Sequence, residues 1–205
     1  MLYFLKREAL NLATFTLLDK VIFENASSME LKDEYGKIIA FIKKEVHSDR
    51  EKDNSYIYTS ADGKIMGQIH RKNTGLKRFL LAEYEFNYGE ERFYLKDKVG
   101  NSMLYFSVMA EFPDQKILIE ENLNEDVDLH SNDERIASIL TGDSFFTVSF
   151  SFEDSIRPHS NLFVLLVLMY FMLKIYKDET GVVDDIIDIF EDIKRTCKFA
   201  GSFSL

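Results

Sequence analysis

Leu162-Phe163-Val164-Leu165-Leu166-Val167-Leu168-Met169-Tyr170-Phe171-Met172-Leu173 is a run of twelve consecutive apolar residues. Pro158 stands before it, Lys174 and Lys177 follow it, and Gly181 lies beyond. Proline suits a helix start, lysines suit the negative end of the helix dipole and glycine suits the stop, so the spacing predicts a helix over 159–177. Such a helix has no polar face and must be wrapped on every side. Lipid is one wrapping, but a span needs about 20 apolar residues to cross roughly 30 Å. Twelve residues cover about 18 Å at the helical rise, and a run of this length is more often a core helix. The expected wrapping is therefore the chain's own strands, with membrane insertion as the alternative.

The residues before this run read as strands and turns. Leu31-Lys32-Asp33-Glu34-Tyr35-Gly36-Lys37-Ile38-Ile39 aligns without a gap to Tyr58-Thr59-Ser60-Ala61-Asp62-Gly63-Lys64-Ile65-Met66, and Leu95-Lys96-Asp97-Lys98-Val99-Gly100-Asn101-Ser102-Met103 follows the same plan. Each reads as strand, glycine turn, strand, the signature of a hairpin. The glycines stand 27 and 37 residues apart, an uneven interval that suits a meander better than a solenoid. Further strands are expected at 2–6, 14–19, 20–24, 77–86, 116–120, 127–130, 135–140 and 145–152. In 77–86 Leu80, Ala82, Tyr84 and Phe86 share one face. In the last strand Phe146, Val148, Phe150 and Phe152 do the same, the period of two of a half-buried strand. The acidic stretch 122–134 reads as a surface loop.

A sheet of about twelve strands that closes on itself has no edges and an interior able to hold a helix. The expected fold is thus mainly β, a closed antiparallel barrel around a central hydrophobic helix. A second, different helix is expected over 182–197. There Val183, Ile186, Phe190, Ile193 and Cys197 recur at three and four, with aspartates and glutamates between them, the pattern of an amphipathic helix. The domain reading is a barrel over 1–177 and an acidic helix with a loose tail over 178–205. The apolar face of that helix, Val183, Ile186, Phe190 and Ile193, is the expected docking surface for a protein partner.

The order of many strands, repeated hairpins with Asp33/Gly36 and Asp97/Gly100 spacing, and a very hydrophobic C-terminal helix resembles the tubby C-terminal-like superfamily. That superfamily includes the tubby domain, the phospholipid scramblases, the plant LURP-one-related proteins and small bacterial members. The resemblance covers about residues 1–177 and implies twelve strands around the central helix. Ser60 departs from the pattern, standing where the other copies carry aspartate. The tubby domain binds phosphoinositides, so the resemblance also brings a lipid-binding expectation, with a scramblase-like role as a weaker one.

The net charge of -10 is uneven: residues 1–80 carry +3 and residues 81–205 carry -13. The acidic part opposes nucleic acid and anionic lipid, and no nucleic-acid partner is expected. Lys43, Lys44, Arg71, Lys72, Lys77 and Arg78 end successive hairpin arms and would gather at one end of the barrel. They are the candidate ligand-binding residues, suited to a phosphate head group. Cys197 is the lone cysteine, which fits a reducing, cytoplasmic setting. The apolar start is five residues long and meets Lys6, Arg7 and Glu8, unlike a signal peptide.

Catalytic patterns are not found. His47, His70, His130 and His159 are at least 23 residues apart, and no metal-binding spacing, nucleophile elbow or phosphate loop occurs. The aspartates around 126–134 lack the glycine and final glutamate of a calcium loop. No cofactor, metal or catalytic residue is expected. The functional expectation is a non-enzymatic binding or scaffold protein with a regulatory role. The alternative is a peripheral anionic-lipid binder at the membrane surface.

Overall fold

The computed structural model describes residues 12–18, 28–45, 55–72, 82–98, 105–141 and 147–178. Twelve strands follow one another: β1 (Leu12–Leu18), β2 (Met29–Lys32), β3 (Ile38–Glu45), β4 (Ser55–Ser60), β5 (Ile65–Arg71), β6 (Glu83–Tyr88), β7 (Glu91–Asp97), β8 (Ser107–Phe112), β9 (Gln115–Glu121), β10 (Val127–Ser131), β11 (Glu134–Leu140) and β12 (Thr147–Glu153). Each pairs antiparallel with its sequence neighbours, and β1 pairs with β12 to close the barrel. The helix α1 (161–178) follows β12 and runs through the interior. Every residue from Leu162 to Leu173 is buried. The apolar run is therefore wrapped by the chain's own strands. No helix among the described residues is long and apolar enough to cross a membrane.

Alternation along the strands builds the interior. Phe93 and Leu95 of β7, Ile117 and Ile119 of β9, and Val148, Phe150 and Phe152 of β12 point inward. Tyr84 and Phe86 do so from β6, preceded by buried Ala82. α1 meets this lining closely. Phe163 packs edge-on to Phe15 at 4.9 Å and stacks on Phe152 at 4.4 Å, and Phe171 stacks on Tyr56 at 4.5 Å. One wall position permits the approach. A Cβ on Gly67 of β5 would lie 2.8 Å from Val164 Cγ1 and 3.1 Å from the Asn87 carbonyl oxygen. The first contact is too short to form without displacement and the second is tight against backbone, so glycine suits this close approach.

The even-numbered strands all end at the mouth where α1 begins, here the upper mouth. The odd-numbered strands end at the lower mouth, around the last turn of α1. Two of the expected hairpin copies coincide in detail. Gly36 and Gly63 have φ of 78° and 88°, a conformation that a side chain would strain. Gly36 N–H donates to Asp33 O and Gly63 N–H to Ser60 O, both at 2.9 Å. A β-bulge falls between Leu31 and Lys32 in one copy and between Tyr58 and Thr59 in the other, the same aligned place. Where Ser60 replaces aspartate, its hydroxyl bonds the Asp62 carboxylate, and that carboxylate accepts the Lys64 N–H.

In the third copy Asp97 pairs with Val108, and Gly100 lies outside the described residues. The turn of the first two copies recurs at 122–126. Asn122 N–H donates to Asp126 O, Glu125 N–H donates to Asn122 O, and Glu125 takes φ 64° where the others have glycine. The expected loop over 122–134 is thus corrected to turn, strand β10 and a second turn. Asn132 and Asp133 both have positive φ there, at 48° and 70°, as in a type I′ hairpin.

The expected fold class is also corrected in one part: among the described residues there is one helix, α1, and no additional amphipathic helix. The 182–197 segment lies outside the described residues. So do the strands expected at 2–6 and 20–24. The expectation of a partner docking through the C-terminal helix is overturned as well. The helix that the structure describes at this end is sealed in the barrel, with its apolar surface spent on the strands. Val183, Ile186, Phe190 and Ile193 lie outside the described residues.

Candidate functional site

The barrel interior is taken up by α1, so the concave places of interest lie on the wall and at the two mouths. The basic candidates from the sequence come to the lower mouth in part. Lys43 and Lys44 close β3 and are exposed. Arg71, the last residue of β5, is buried at 5% exposure, because alternation turns it inward. It faces the charge of Asp97, whose carboxylate accepts the Ala82 N–H at 2.7 Å. Burial raises the Asp97 pKa, opposed by that hydrogen bond and by Arg71. Lys77 and Arg78 lie outside the described residues.

Lys72 belongs to the outer wall. Its ammonium stands 3.6 Å from Glu85 and 4.6 Å from the ring centre of Tyr94. Arg92 Nε approaches the same carboxylate at 3.3 Å and His70 Nε2 at 4.0 Å. Glu85, only 8% exposed, is thus surrounded by three basic side chains from β5, its trailing residue and β7. The register explains this: His70 pairs with Glu85 and Glu85 with Tyr94, so the row crosses the sheet on one face.

Beside this row the wall opens. β6 and β7 pair over six positions, as do β8 and β9, but β7 and β8 pair only at Leu95↔Ala110, Lys96↔Met109 and Asp97↔Val108. Above these three pairs the ladder between the two strands does not continue. Phe93 and Phe112 close the gap from inside, stacked 4.0 Å apart and nearly parallel. Outside it lies a groove of about 670 Å³, with Phe93 and Ile117 at its floor and Tyr94 and Met109 on its flanks. Tyr94 is 47% exposed and Met109 46%. Arg92, Lys96, Lys98 and Lys116 line it against Glu111 and Asp133, a basic surplus in an acidic chain. Lys96 and Lys98 have carboxylate neighbours, Glu83 at 3.9 Å and Glu120 at 4.0 Å. Loose, exposed pairs of this kind hold little energy. The sequence did not mark this groove, because its residues come from three strands and share no spacing.

At the upper mouth His159 takes φ 67° just before α1. Its Nδ1 lies 2.9 Å from the Tyr58 hydroxyl, and its carbonyl oxygen accepts the Tyr88 hydroxyl at 2.7 Å. Burial lowers its pKa, opposed by the charge of Asp62. Burial likewise raises the Tyr58 pKa, with the neighbouring Tyr88 adding to it. At the lower mouth Lys177 reaches Glu121 at 2.7 Å over a concave surface that Glu120, Glu125, Asp128 and His130 also line. Among the described residues no group of three or more His, Cys, Asp or Glu is placed to hold a metal ion.

No family model matches the chain, and no curated protein matches it. One crystal structure, of a protein from Arabidopsis thaliana, is similar over 80% of this chain and 90% of its own, with a TM-score of 0.50 and 8% sequence identity. At that identity the similarity is one of fold alone. What the described residues show is the fold: a closed antiparallel barrel of twelve strands with an internal helix.

Proposed function

We propose that this protein is a non-enzymatic binding or scaffold module of the tubby-like superfamily, and that its working surface is the outer wall around β5–β9. The observation that carries this reading is the filled interior. The twelve-residue apolar run occupies the space in which an open barrel would hold a ligand. Binding is then left to the outside, and there the Glu85 cluster and the neighbouring groove gather basic side chains. An anionic partner suits that surface. The test is an amide-resolved NMR titration of the whole chain with inorganic pyrophosphate at low salt. The expected result is a set of shifts centred on β5–β9 that disappears in the triple variant Arg92→Glu, Lys96→Glu, Lys116→Glu. A spectrum that does not change at any concentration defeats the reading.

A second reading is peripheral binding to an anionic lipid surface. It is favoured by Lys43 and Lys44, both exposed near the end of β3. The net charge of -10 works against it at long range. Flotation with phosphatidylserine vesicles at low ionic strength is the check. Retention that falls in the Lys43→Glu, Lys44→Glu variant supports this reading, and no retention in the parent chain removes it.

A further inference from the structure

We infer that the ends of β7 and β8 beyond their ladder form a site for a soluble organic anion with a flat apolar body, a phosphate joined to an aromatic or short aliphatic group. This deepens the outer-wall reading and rests on it. Three features of the groove point to that chemistry together.

The first is how the groove is built. A continuous sheet presents pleated side chains and no recess. Here the ladder stops after three pairs, and the Phe93–Phe112 stack seals the gap below. The recess has an apolar floor, backed by the core. Its volume of about 670 Å³ falls within the range of small-molecule pockets, roughly 300–1,000 Å³.

The second feature is the flanks. Tyr94 and Met109 stand on adjoining strands and are each nearly half exposed. Aromatic rings and the polarisable methionine thioether are good surfaces for a flat apolar group. Leu118, paired with Met109 across β8 and β9, extends the same row.

The third feature is where the charge sits. Arg92, Tyr94 and Lys96 alternate along β7 and share its outer face. Lys96 pairs with Met109 across the ladder, so a cation stands beside the apolar flank. Glu111 pairs with Lys116 and offsets it. The anionic head therefore faces Arg92 and Lys96, while the apolar body lies over Met109 and Leu118. A bare phosphate would meet the charge of Arg92 and Lys96 and leave the apolar flank of Met109 and Leu118 unused.

The experiment is calorimetric titration of the whole chain at low salt with inorganic phosphate, phenyl phosphate and 1-naphthyl phosphate. Affinity is expected to rise along that series, with the naphthyl ester binding at least about tenfold tighter than inorganic phosphate. Met109→Asp and Lys96→Glu, both at exposed wall positions, should each weaken the naphthyl ester at least about tenfold. Lys37→Glu, in the β2–β3 turn, should leave it unchanged. Equal affinity for inorganic and naphthyl phosphate overturns this inference and leaves the outer-wall reading standing. So do groove variants that keep their fold and bind the naphthyl ester as the parent does. No binding of any phosphate by the parent chain overturns both. Binding to phosphatidylserine vesicles with none to the soluble esters overturns the inference in favour of a membrane surface.

Discussion

His159 sits in the left-handed region of backbone space at φ 67°, where a side chain with a Cβ is strained. Two hydrogen bonds hold it there: the Tyr58 hydroxyl meets its ring and the Tyr88 hydroxyl its carbonyl. With the imidazole neutral and Nδ1 unprotonated, the Tyr58 hydroxyl donates to it. Burial holds the ring's pKa below the usual histidine value. The unfolded chain therefore takes up a proton at a higher pH than the folded chain does. Stability from this group is fully present above the unfolded pKa, near 6.5, and is lost as pH falls through the lower folded pKa. Thermal unfolding should show a lower midpoint at pH 5 than at pH 7. His159→Asn keeps a residue that tolerates positive φ and has no proton to gain, so its acid-side loss should be smaller. Equal pH dependence in the two proteins would remove His159 from the account.

At the scale of elements, the seating of α1 against β5 depends on an absent methyl group. Gly67 lets Val164 approach the wall, and the Phe86 ring and the Asn87 carbonyl bound the same space. Gly67→Ala overfills it and should cost about 1–3 kcal/mol in chemical unfolding. Val164→Ala alone leaves a cavity and should also destabilise. The double variant should lose less than the sum of the two singles, because the new methyl occupies space that the valine vacated. Additive losses would mean that the wall yields elsewhere and the helix is not the obstacle. The turn at 122–126 belongs to this scale too. Its hydrogen bonds repeat those of the glycine hairpins, although Glu125 stands where they have glycine. Local bonding and strand pairing define the turn, and glycine only makes it easier to form.

The closed barrel is only as strong as its shortest ladder. β1 pairs with β12 over seven positions but with β2 over two among the described residues, Thr16↔Lys32 and Leu17↔Leu31. Opening a short ladder breaks fewer bonds and exposes less buried surface than opening a long one, and local opening follows such differences. In hydrogen exchange the bonded amides of the β1–β2 ladder should exchange at least about tenfold faster than those of the β1–β12 ladder. Equal protection across both seams would show that the barrel opens only as a whole.

The apolar run at 162–173 determined by itself that this chain needs an enclosing wall, since no helix can leave twelve such side chains in water. Period-two patterning marked the inner faces of β6 and β12, and the glycines marked two hairpins in detail. These features were legible because each is local: helix, strand and turn preferences act over a few residues. Other features came only from the closed sheet. The sequence groups Arg71 with the surface lysines, but its position at the end of β5 turns it into the barrel, facing the charge of Asp97. The groove was invisible because Arg92, Tyr94, Lys96, Met109 and Lys116 lie on three strands. Register alone brings them together, and register is set by how the whole ring of strands closes around the helix.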